Sequence, residues 1–191
     1  MIAKLSSSAA TYFADKSIYK RDDIDIYKYG FELLISTILN IVGIIIISVC
    51  FNLFFEGTLF LISVILLRVT AGGYHANSHW ACFLANNMTY LAFALLLKYV
   101  LFDYLIYYSI ISVLVSTAVI WFLSPVEAKN KPLSKNKKIK VRKISLIISL
   151  INIILVLFFS LIIKQSHNYI AYYISGMLAV SLSLIAAKIF Y

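Results

Sequence analysis

The chain has 191 residues, 62% of them hydrophobic and 13% charged, with a net charge of +9. Soluble domains carry roughly a quarter of their residues charged, so this composition excludes one and indicates an integral membrane protein forming one compact bundle. Two cysteines, Cys50 and Cys82, supply neither a disulfide framework nor a zinc-type C-x-x-C pair, and the cationic surplus is gathered largely in one loop, which argues against a nucleic-acid partner.

The first 28 residues contain no apolar run with a cleavage site, so no signal peptide is expected. Ile2, Leu5, Ala9, Tyr12 and Phe13 recur at roughly helical spacing among Lys4, Ser6, Ser7, Asp15 and Lys16. That pattern suits an amphipathic helix lying at the membrane surface; a frayed polar tail is the plainer alternative. A bilayer core needs about 20 apolar residues per helix, with about 17 as the lower limit. Six segments qualify: Leu33 to Cys50, Phe54 to Ala71, Ala81 to Val100, Tyr104 to Leu123, Ile144 to Ile163 and Tyr169 to Ala187. The second, bounded by Glu56 and Arg68, reads either as a short span or as a re-entrant helix. The only prolines, Pro125 and Pro132, fall in one loop, so the spans are expected to be unbroken helix. The fold class is therefore all-α: a polytopic transmembrane helical bundle of about six spans with an amphipathic N-terminal interfacial helix, in a single membrane domain over 1–191.

Charge orients the bundle. With six spans, the N-terminal cations, Arg68, the basic set from Lys129 to Lys143 and Lys188 share one side, and only Lys98 and Lys164 of the 17 lie opposite. Cytoplasmic loops are the Lys- and Arg-rich ones. Both termini, segment 1–30, the junction 68–82 and the basic loop 124–143 are thus expected in the cytoplasm. The loop reads most simply as a topology signal attracted to anionic lipid. A sharper reading makes Lys129, Lys131, Lys135, Lys137 and Lys138 a docking surface for an acidic peptide.

The junction itself, R-V-T-A-G-G-Y-H-A-N-S-H-W-A-C from Arg68 to Cys82, places titratable groups at the edge of a span, where they are costly and suggest a functional site. On one continuous helix His75 and Cys82 are about 10.5 Å apart in rise. Acid–base contact needs about 3 Å, so the chain must bend between them. Gly72-Gly73 can end one helix and Asn77 or Ser78 can cap the next. His75 then sits in a loop and Cys82 one turn into a helix, a setting that favours thiolates in general. His75 can act as base or imidazolium partner, Asn77 can orient its ring, and backbone N–H groups at the helix start can receive an oxyanion. The plainer reading of a cysteine in an apolar helix is an inert small hydrophobe, and this is applied to Cys50. His75 and His79 form an i, i+4 pair able to bind a metal if helical, but the glycines before them and the lack of a nearby carboxylate count against it; no metal and no cofactor are expected. His167 is assigned no role.

The motif R-x-x-A-G-G-Y-H-A-x-x-x-x-x-C over Arg68 to Cys82, with the chain length, the polar N-terminal segment and the Pro-containing Lys-rich loop, resembles the AgrB (accessory gene regulator protein B) family. That family comprises membrane cysteine endopeptidases of Gram-positive bacteria that process the propeptide of a cyclic quorum-sensing pheromone. The resemblance implies Cys82 as nucleophile and His75 as its dyad partner, with Arg68, Gly72 and Gly73 supporting the site and Glu32 as a substrate-contacting position. It also implies a bacterial cell membrane location, a homodimer, and an AgrD-like propeptide with an amphipathic leader and an acidic tail. Cleavage at the C-terminal side of the core through a thioester, followed by closure of a thiolactone or lactone ring, is the implied reaction. Two alternatives come from other classes: a small transporter or channel whose pathway the His/Cys stretch lines, and a metal-binding membrane protein using His75 and His79.

Overall fold

The computed structural model describes residues 2–16, 23–74, 78–126, 134–162 and 167–190; the side chains of 102 and 160–162 are not described. Among the described residues seven α-helices follow in chain order: α1 (Ile2–Asp15), α2 (Ile24–Cys50), α3 (Phe54–Ala71), α4 (His79–Leu95), α5 (Leu105–Leu123), α6 (Lys135–Ile162) and α7 (His167–Phe190). Among the described residues there is no strand, only a single bridge between Gly72 and Val126. Six helices, α2 to α7, are long and apolar enough to cross a membrane. α3 is a continuous helix of 18 residues, about 27 Å long and close to the thickness of a hydrocarbon core.

The helix at the centre is α7. It has 61% of its apolar window buried, against 17% for α2, and it packs between α3 and α5. Lipid tails are as apolar as leucine, so close approach and hydrogen bonding, rather than hydrophobicity, hold such helices together. Gly176 provides the approach to α3, since a Cβ there would lie 2.9 Å from Ser63 Cβ and closer still to the Phe60 carbonyl. On the α5 side, Tyr108 Oη and Ser175 Oγ share a hydrogen bond of 2.8 Å, and Ser181 Oγ donates to the Ser116 carbonyl at 3.3 Å. Tyr172, Ile174, Met177 and Leu184 fill the space between. The large apolar side chains left exposed on α2, α4, α5 and α6 form the surface that hydrocarbon would cover.

Two features differ from the sequence expectation. α6 begins at Lys135, so residues 135–143, read as part of a loop, form its first turns. An Asn-Lys-Lys run spells loop by polarity, yet Lys is a good helix former and Ser134 O accepts from the Lys138 N–H at 2.9 Å. α4 is not unbroken: it loosens into a π-helical turn over Leu96–Val100. There Lys98 Nζ reaches the Phe51 carbonyl at 2.7 Å, so the turn brings a cation to the C-terminal end of α2. The amphipathic N-terminal helix expected from the sequence is present as α1, and it packs along the first half of α2. Ile2, Ser6, Ala10 and Ala14 are buried, Phe13 stacks on Phe31 at 5.6 Å, and Leu5 and Tyr12 remain exposed.

Candidate functional site

The α3–α4 junction is built by glycines and a latch. α3 ends at Gly72, which adopts φ +81°; Gly73 follows at φ +143°. Both angles are strained for any residue with a Cβ. Space is closed to one as well. A Cβ on Gly72 would run into the Val126 carbonyl, because the chain at 124–126 lies alongside and the Val126 N–H donates to Ala71 O at 3.1 Å. A Cβ on Gly73 would lie 2.7 Å from Ser183 Oγ and 2.8 Å from Arg68 Nη1.

Those two side chains form the latch. Arg68, in the last turn of α3, donates from Nη1 to Ser183 Oγ on α7 at 2.6 Å and from Nη2 to the Tyr74 carbonyl. The Tyr74 N–H meets Ser183 twice, at 2.9 Å to Oγ and 3.1 Å to the carbonyl. The guanidinium fork thus ties the residue just before His75 to a helix more than a hundred positions away in sequence. His75 and Asn77 lie outside the described residues, as do Lys129 and Lys131.

α4 starts at Ser78, whose extended backbone and side-chain oxygen, accepting from the Ala81 N–H at 3.1 Å, make it the N-cap. The Cys82 N–H donates to Ser78 O at 3.1 Å. Two of the backbone donors expected to receive an oxyanion are therefore engaged in starting the helix. Cys82 is half-buried and is one of the residues lining a partly open cavity of about 460 Å³ between α2, α3, α4 and α7. This volume falls within the usual range for small-ligand pockets, about 300–1,000 Å³. Tyr74, Arg68 and Ser183 line the same cavity, so the residues on both sides of the undescribed stretch, Tyr74 and Cys82, face one space. Its wall is largely aliphatic (Leu33, Ile41, Ile44, Val64), and its further polar points include Thr37, Asn40, Asn86 and Thr89.

Glu32 and His79 meet outside this cavity. His79 Nε2 lies 3.6 Å from Glu32 Oε2, and Glu32 Oε1 accepts from Ser6 Oγ at 3.4 Å. The carboxylate thus links α1, α2 and the first turn of α4. Lys135, Lys137 and Lys138 sit on the exposed first turn of α6. Among the described residues no group of three His, Cys, Asp or Glu side chains is placed to hold a metal.

Sequence reading missed Ser183, Tyr74, Asn40 and Asn86. Two of them left a signal. Asn86 lies one turn after Cys82 inside an apolar helix, and Asn40 is the lone amide of the α2 span, both positions where a polar side chain requires a reason. Asn86 Nδ2 approaches the Cys82 Sγ at 3.5 Å and Asn40 Oδ1 at 3.2 Å. Ser183 left none, because a serine in an ordinary helical run becomes functional only through long-range packing.

Comparison with known proteins gives a consistent picture. The sequence model described as Accessory gene regulator B matches residues 6–185. The chain is 27% identical over 168 residues to a putative AgrB-like protein of Clostridium perfringens (strain SM101 / Type A), covering 81% of this chain and 78% of that one. It is likewise 27% identical over 168 residues to the protein FsrB of Enterococcus faecalis (strain ATCC 47077 / OG1RF), covering 85% of this chain and 68% of that one. No solved structure matches.

Proposed function

The chain belongs to the accessory gene regulator B family, a multi-pass membrane family with a role in quorum sensing, and from that premise we propose that it is a cysteine endopeptidase that cuts a pheromone propeptide and leaves its core ready to cyclise. The observation that carries the reading is the position of Cys82: one turn into α4, lining a cavity that Tyr74, the neighbour of His75, also lines. A helix start favours negative charge, and a cysteine with a histidine partner is the minimal equipment for acyl transfer.

In the proposed reaction the Cys82 thiolate attacks the carbonyl carbon at the C-terminal end of the pheromone core. The S–C bond forms, the C–N bond breaks, and His75 passes the proton taken from the thiol to the departing amine. A Cys thiol or Ser hydroxyl within the core then attacks the thioester carbon; a ring S–C or O–C bond forms and Cys82 is released. Water must be kept from the thioester for closure to beat hydrolysis, and the aliphatic wall of the cavity supports this. The cationic face of α6, together with Lys129 and Lys131, suits an acidic C-terminal tail. Six crossings would put Arg68, Cys82, the first turns of α6 and both ends of the chain on one side, which we assign to the cytoplasm because that side would hold nearly all Lys and Arg.

The test is cleavage of a co-expressed propeptide with an amphipathic start, a central Cys or Ser and an acidic end. Cys82→Ala and His75→Ala each abolish cleavage while the protein stays in the membrane. Full cleavage by Cys82→Ala would refute the proposal.

A further inference from the structure

Asn40 on α2 and Asn86 on α4 stand in apolar spans, where an amide is costly unless its hydrogen bonds are met. Asn86 stands one turn beyond Cys82, and its Nδ2 donates to the Cys82 sulfur at 3.5 Å and to Asn40 Oδ1 at 3.2 Å. Asn40 Nδ2 donates in turn to the Ser36 main-chain carbonyl at 2.8 Å. The direction of this relay is fixed from its far end. A carbonyl only accepts, so Asn40 turns its nitrogen to Ser36 and its oxygen to Asn86. That oxygen also only accepts, so Asn86 presents its nitrogen. One N–H goes to Asn40, and the other faces the sulfur on the wall of the cavity.

Two neighbouring backbone donors are occupied: the Cys82 N–H by Ser78 O and the Ala81 N–H by Ser78 Oγ. Attack by the sulfur moves an electron pair onto the acyl oxygen, which is held on the same carbon that the sulfur joins. A donor at hydrogen-bond distance from the sulfur is therefore also within reach of that oxygen. We propose that Asn86 is a catalytic residue that turns its N–H from the resting sulfur to the developing oxyanion, and that Asn40 is a positioning residue that fixes the polarity of the Asn86 amide. The step balances within the reaction already proposed. The pair that moves onto oxygen as the S–C bond forms returns as the C–N bond breaks, and the proton reaches the amine from His75. This inference rests on Cys82 being the nucleophile.

The experiment uses full-length protein in membranes, in a Cys50→Ala background, with the propeptide as substrate and single-turnover cleavage as readout. Alkylation of Cys82 by a small maleimide reports that the site is still folded. Asn86→Leu, similar in size but without a donor, is expected to slow cleavage about 10²–10³-fold, with the half-saturating propeptide concentration within about twofold. Asn86→Ala should do the same, and stands in if the leucine variant fails to reach the membrane. At position 40, Asn40→Asp keeps an acceptor for Asn86 and is expected to stay within about fivefold of the parent, whereas Asn40→Leu frees the Asn86 amide to flip and loses more than about tenfold. Asn86→Leu or Asn86→Ala within about threefold of the parent, with Cys82→Ala inactive, overturns the role of Asn86 and leaves that of Cys82 standing. Equal losses for the two Asn40 variants overturn the positioning role. Cleavage by Cys82→Ala would instead sink the parent reading.

Discussion

The two cysteines make a controlled comparison within one molecule. Cys50 is the last residue of α2, exposed and set among apolar neighbours. Cys82 is in the first turn of α4, half-buried on a cavity, with an amide nitrogen directed at its sulfur. The residue type is the same; what differs is the end of the helix and the polar company. Orphan carbonyls gather at a helix C-terminus and oppose negative charge, while the amide end favours it. At the Cys50 end, the cation in reach, Lys98, is bonded to the Phe51 carbonyl. At the Cys82 end, Arg68 is bonded to a serine and a carbonyl that shape a loop.

The largest expected effect breaks the comparison outright. Cys82→Ala loses all propeptide cleavage, and Cys50→Ala stays within about twofold of the parent, both measured on co-expressed substrate. Next come the residues that shape the loop. Gly73→Ala puts a Cβ into Ser183 and Arg68 at a strained φ, and Arg68→Ala removes both arms of the latch; each is expected to cut the cleavage rate about 10–100-fold, with the protein still present in membrane fractions. Ser183→Ala leaves Arg68 its carbonyl partner and the Tyr74 N–H its bond to the Ser183 carbonyl, so a loss of only about 3–10-fold is expected. A smaller effect sharpens the role of α6. Lys135, Lys137 and Lys138 changed together to Glu should slow cleavage a few-fold at low salt and scarcely at high salt, because exposed charges are screened within about 10 Å at 0.1 M. A salt-independent loss would assign these lysines to topology or folding. The smallest effect belongs to the opposite end: Lys98→Met should lower thermal stability in detergent by about 1 kcal/mol and leave cleavage unchanged.

The sequence carried most of the fold because a membrane span is a composition rule as much as a pattern. Leu33 to Cys50 and Tyr104 to Leu123 are apolar runs with few other uses, and the helices found there are α2 and α5. Boundaries set by chemistry other than apolarity were harder. Lys135 to Lys143 reads as loop by charge although its residues are good helix formers, and the π turn at Leu96–Val100 involves a carbonyl contributed by another helix. The site shows the same division. The local parts, Gly72, Gly73 and the Ser78 cap, were legible from turn chemistry. The parts that cross between helices, Arg68 to Ser183 and Asn86 to Asn40, were not, since no spacing rule links positions so far apart.

The central claim is that Cys82, and not Cys50, carries the acyl group. The most direct measurement is intact-protein mass spectrometry of the enzyme trapped during turnover with its propeptide, before and after hydroxylamine. The account expects a hydroxylamine-labile adduct with the mass of the leader and core, mapped to the peptide containing Cys82, present in Cys50→Ala and absent from Cys82→Ala. Cleavage without such an adduct, or an adduct that survives Cys82→Ala, would contradict it.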